Sequence, residues 1–145
     1  MTMVSRTALI SALGMTGTAG FAETDVWSLL SQVQIDETLT ADSYSVTKTF
    51  PAAFQSEIEG VEIAGYAMPI SDGTTIRELL VVADMGLCPF CGSGEHGGSL
   101  LVQLDSPLFE FEEGARVTVR GTLTPVTDPE TWQAAVLSNA QLIES

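Results

Sequence analysis

Residues 116–123, Arg-Val-Thr-Val-Arg-Gly-Thr-Leu, alternate strictly between apolar and polar side chains. Val117, Val119, Gly121 and Leu123 fall on one side, and Arg116, Thr118, Arg120 and Thr122 on the other. A period of two is the signature of a strand with one buried and one wet face. Gly121 inside the run predicts a bend or bulge of the kind barrels need at their corners.

The same character recurs on either side of this run. Val61, Ile63, Gly65 and Ala67 alternate with Glu62, Ala64, Tyr66 and Met68, and Pro69 ends that run. Ser71-Asp72-Gly73 is turn chemistry. Leu79-Leu80-Val81-Val82 is continuously apolar, as expected of a strand covered on both faces. Ser99 to Asp105 reads as a strand broken by Ser106-Pro107, and Phe109 and Phe111 precede a turn at Glu113-Gly114. Asp128-Pro129-Glu130 suits a helix start or a turn, and a turn into a last strand through Trp132–Leu142 is the preferred reading.

Before these strands lies a short helix signal. Thr24 can cap, Asp25 suits the first turn, and Trp27, Leu30 and Val33 recur at helical spacing, as in a lid on a core. Thr38 to Thr49 is polar and rich in Ser and Thr, and reads as a loop or ragged edge strand. Phe50-Pro51 stops any helix there, with Phe54 and Ile58 as anchors of a short turn. No helix-period segment separates successive strands, which excludes a doubly wound sheet. The expectation is a mainly β chain: a small OB-like five-stranded antiparallel barrel with a short N-terminal helix.

The first residues read as an address. Arg6 gives a short positive region, Thr7 to Phe21 is apolar and uncharged, and Gly20-Phe21-Ala22 has the small-x-small pattern of a cleavage site. The apolar run is shorter than the roughly 20 residues of a bilayer span. Residues 1–22 are therefore expected to be a signal peptide, and residues 23–145 a single periplasmic OB-like domain with no lipidated cysteine. That domain carries four bases (Lys48, Arg77, Arg116 and Arg120) against all nineteen acids, a net charge of −15. Such a surface repels phosphate backbones and makes nucleic acid a poor partner.

Met85 to Gly98, M-G-L-C-P-F-C-G-S-G-E-H-G-G, holds the chemistry. Cys88, Cys91 and the single histidine, His96, lie within nine positions, beside Glu95 and Met85. Three readings stand. Cys-x2-Cys puts two thiolates within reach of one ion at about 2.3 Å each, and His96 can supply a third ligand. Glu95, Asp84, water or a partner protein can supply a fourth; zinc accepts that set, while Cu(I) prefers Met85 with the two sulfurs. A Cys88–Cys91 disulfide is the second reading, favoured by an oxidising compartment but closing too short a loop to stabilise by more than roughly 2 kcal/mol. Thiol–disulfide exchange is the third, from the likeness of C-P-F-C to thioredoxin-type tetrads. The Gly-rich sequence after Cys91 carries no helix to lower a thiol pKa, which weighs against it. One histidine makes no Ser-His-Asp set, and no phosphate-cradling glycine loop precedes a helix. Trp27, Tyr66 and Trp132 read as core or rim packing rather than a ligand cage.

Trp27, Gly65-Tyr66-x-x-Pro69, the cysteine loop after an apolar strand, and Val117-x-Val119-x-Gly121-x-Leu123 follow one another in that order. This order resembles a family of exported bacterial OB-fold-like proteins, some of them lipoproteins. The resemblance implies an OB-like fold and an accessory role in metal or envelope transport, with a periplasmic or membrane transport protein as partner.

Overall fold

The computed structural model describes residues 23–70, 73–83 and 98–144. Helix α1 (Glu23–Ser31) opens the described chain. Val26, Leu29 and Leu30 recur every three or four residues, so they share one face, and all three are buried in the core. Tighter backbone bonds from Gln32 to Leu29 O and from Val33 to Leu30 O, both 3.2 Å, close its last turn. The Trp27 indole N–H donates to Ala64 O at 2.8 Å and ties the helix to the barrel.

Strands β1 (Gln34–Leu39) and β2 (Tyr44–Thr49) form an antiparallel hairpin that is a sheet of its own. The loop or ragged edge expected over Thr38–Thr49 is thus a regular strand pair. A 3-10 turn (Ala52–Phe54) follows Pro51 and sinks Phe54 into the core, edge-on to Phe50 with ring centroids 5.7 Å apart.

Five further strands make a closed barrel: β3 (Ile58–Ile70), β4 (Ile76–Val82), β5 (Ser99–Leu108), β6 (Arg116–Pro125) and β7 (Ala135–Glu144), in the order β3-β4-β5-β7-β6 with β6 pairing back to β3. This order fits an OB-like barrel. The expectation of an all-antiparallel barrel is corrected: β5 and β7 run parallel, Leu101 beside Val136 and Val102 beside Leu137. Parity requires it, because five strands in a ring cannot all oppose their neighbours. Once the other four pairs are antiparallel, the fifth must be parallel.

Ile63, Leu79, Val102, Val119, Leu123 and Leu137 are fully buried inside the ring, and α1 and Phe54 join the same core. Bulges bend the strands. Between Ile58 and Val61 the register slips against β6, with Gly60 at φ +68°. At Gly121 the register against β7 slips as well, and an added Cβ would lie 2.6 Å from Ser138 O. Asn139 takes φ +49° beside the β5–β7 slip, a conformation asparagine tolerates better than most residues. Ser106-Pro107 does not end β5, which continues to Leu108; the slip against β4 between Ile76 and Glu78 takes up the extra residues. Among the described residues no helix is long and apolar enough to cross a membrane.

Candidate functional site

The sequence places the chemistry between β4 and β5, and the structure fixes the root of that connection. Val82 stands opposite Ser99 in the last pair of the two strands, and Ala83 N–H donates to Gly98 O at 3.0 Å. The connection therefore leaves and re-enters the barrel at one hydrogen-bonded point. Cys88, Cys91, Glu95 and His96, with Asp84 and Met85, belong to residues 84–97 and lie outside the described residues. Among the described residues, no three His, Cys, Asp or Glu side chains come together in a group that could hold a metal ion.

The barrel wall at this root is apolar on its outer side as well as its inner one. Leu79 and Val81 point into the core, so Leu80 and Val82 point outward. Register puts Tyr66 beside Val82, and Met68 beside Leu80. It also puts Leu80 beside Leu101, and Leu101 beside Val136. Tyr66, Met68, Leu80, Leu101 and Val136 are half-buried, and Val82 is buried. One row further from the root, Glu78 and Gln103 face each other, with Gln103 Nε2 donating to Glu78 Oε1 at 3.3 Å. The continuous apolar run at 79–82 was the sequence signal for this two-faced strand.

Of the aromatic residues, Trp27 is half-buried and Tyr66 lies in the outer row, while Trp132 sits 40% exposed on the β6–β7 connection. That connection is also where the hairpin docks. Val46 N–H donates to Pro129 O at 2.8 Å, and Lys48 Nζ donates to the carbonyls of Val126 (3.0 Å) and Asp128 (2.9 Å). Partial burial pushes the Lys48 pKa below its ordinary value, against the opposing pull of Asp128. The Tyr44 phenol is pushed up by local desolvation and by the neighbouring Glu37 carboxylate, to which it is hydrogen-bonded. Nothing in the polar sequence of 34–49 signalled this second attachment, because its partners lie some 80 residues later.

Comparison of the chain with known protein families, with curated proteins and with solved structures finds no match.

Proposed function

We propose that this is an exported, periplasmic binding or accessory protein whose β4–β5 connection presents a transition-metal site for zinc or Cu(I). Cys88, Cys91 and His96 are the ligands, with Glu95 as the fourth. One observation carries the reading: four donors of ligand type fall within nine positions of a segment whose ends are joined at Ala83 and Gly98. Such a closed segment has already lost much of the chain entropy that gathering ligands from an open chain would cost. The apolar wall at its root supports contact with a partner, such as a periplasmic or membrane transport protein, and the resemblance in motif order points to the same role.

The test is calorimetric titration of freshly reduced protein with Zn²⁺ or Cu⁺. About one ion should bind, and affinity should fall steeply below neutral pH as protons compete for the thiolates and imidazole. His96→Ala should weaken binding roughly tenfold or more, and Cys88→Ser should nearly abolish it. Absence of binding in the reduced wild type ends the metal reading. A mass lower by two hydrogens, with no thiol reactivity in protein purified from the periplasm, would instead favour the Cys88–Cys91 disulfide. Intact mass also tests export, since the secreted form should begin at Glu23.

A further inference from the structure

We propose that the outer edge of β1 is a docking site for an extended, cationic segment of a partner protein, which adds to the hairpin as a third strand. Thr40 N–H donates to Ser43 O at 2.8 Å, so hydrogen-bonded and non-hydrogen-bonded pairs alternate down the hairpin from that point. Thr38–Ser45, Asp36–Thr47 and Gln34–Thr49 therefore exchange ladder bonds. Ile35, Glu37 and Leu39 turn their backbone N–H and C=O groups to the outer edge. On β2 the same alternation turns Val46 outward, and its N–H is the one taken by Pro129 O. That bond checks the phase independently.

The two edges of the hairpin thus differ. The β2 edge is occupied by the β6–β7 connection. Among the described residues, no hydrogen bond from another element reaches the outward backbone of Ile35 or Leu39. Five of the six β1 residues are exposed, Leu39 by 80%. An exposed strand edge is a template for strand addition unless something guards it.

Charge decides which occupant fits. In a pairing of two copies, outward residues must face outward residues, so the antiparallel registers that retain most of the strand centre on Asp36 or on Glu37. Each places a carboxylate directly opposite its own copy, which is destabilising, and both copies carry the same large negative charge. A second copy is therefore a poor occupant. A strand with Lys or Arg opposite Asp36 and Glu37, and apolar residues opposite Ile35 and Leu39, matches both faces of β1 and is steered to it by the protein's field.

The test uses the purified protein and the peptide acetyl-Val-Thr-Lys-Lys-Val-Thr-amide, with acetyl-Val-Thr-Glu-Glu-Val-Thr-amide as its charge-reversed control. In an NMR titration the lysine peptide should perturb the amides of Ile35 and Leu39 and slow their exchange, and the glutamate peptide should bind roughly tenfold or more weakly. Leu39→Pro removes one outward N–H and no ladder bond, so it should abolish binding at unchanged melting temperature. If that variant proves unstable, Asp36→Asn with Glu37→Gln should lower both the affinity and its salt dependence. Binding should persist in Cys88→Ser, which separates this site from the metal reading. Equal affinities for the two peptides, perturbations confined to the barrel, or self-association through β1 in sedimentation would each overturn the proposal.

Discussion

Gly65 lies so close under the end of β4 that a Cβ added there would sit 2.5 Å from the carbonyl oxygen of Val82 and 2.7 Å from a methyl of Val81. Val81 is a core residue and Val82 is the last residue of its strand before the cysteine loop. The glycine thus couples the packing of the barrel to the root of the candidate site. Only a residue without a side chain lets the two strands approach this closely.

Gly65→Ala should therefore be destabilising, by about 1–3 kcal/mol, as for other insertions into a packed core. The measurement is chemical denaturation. The same variant should shift the amide signals of Val82 and Ala83 more than those of β7. An alanine variant as stable as wild type would show that β3 and β4 separate at little cost.

The buried valines test the ring itself. Val81 and Val119 are fully buried, on β4 and β6, and the residues paired with them across the sheet, Ala67 and Leu100 for Val81 and Ile63 and Leu142 for Val119, are all apolar. Val81→Asp and Val119→Asp should each unfold the barrel, since burial of an unpaired charge costs several kcal/mol against a typical stability of about 5–15. Circular dichroism should show loss of the cooperative transition, and two variants that melt like wild type would contradict the strand assignment.

These elements were legible because their signals are local. Val117 to Leu123 alternates at period two, and all five barrel strands show such a pattern or an apolar run. Gly121 marked its bulge, whereas the helical stripe expected at Trp27, Leu30 and Val33 is displaced: the helix stops at Ser31 and buries Val26, Leu29 and Leu30, while Trp27 and Val33 are half-buried. The parallel β5–β7 pair was not legible, because no strand's sequence states its partner. Counting five strands in a closed ring requires a parallel pair, but only the observed pairing shows that it is β5 and β7. The hairpin was missed for a related reason: the few apolar residues of 34–49 (Ile35, Leu39, Tyr44 and Val46) share one face only once the two strands pair, and Val46 and Lys48 find their partners at 126–129. Of the site, the sequence named the donors and their flanking strands, and the structure added where those strands close, at Ala83 and Gly98.

Lys48 tests the hairpin's attachment. Its ammonium donates to two backbone carbonyls of the β6–β7 connection. Lys48→Met should remove about 1–2 kcal/mol of local stability, with the partly wet site keeping the loss at the low end of charge-assisted bonds. Exchange of β2 amides should quicken while those of β6 stay protected. Alkaline pH adds a second readout. Burial holds the Lys48 pKa below 10.5, so between the two values the folded chain binds fewer protons than the unfolded one, and this group's contribution to stability rises with pH. Tyr44, held above 10.0, binds its proton longer when folded and contributes stability that falls with rising pH. Lys48→Met removes only the rising component, so the variant should lose stability more steeply than wild type on approaching pH about 10.

The bond from Ala83 N–H to Gly98 O gives the metal reading a test that leaves every ligand in place. Ala83→Pro removes the donor, and its ring is compatible with Val82, which is already extended in β4. Without that bond the ends of the 84–97 segment are free to part, and more chain entropy is lost when a metal gathers Cys88, Cys91 and His96. Loop-closure costs grow only slowly with length, so zinc affinity should fall by a few-fold to roughly tenfold rather than vanish. Ala83→Gly keeps the N–H and should bind nearly as wild type. Both variants should keep the barrel's melting temperature within a few degrees, because Ala83 lies beyond the last paired residue of β4 and is exposed. Competition with a chelator of known affinity, run on reduced protein, measures the ratio. If Ala83→Pro binds zinc as tightly as wild type, closure of the root plays no part in assembling the site. If wild type and both variants fail to bind, the loop is better explained as one pinned by its own Cys88–Cys91 disulfide.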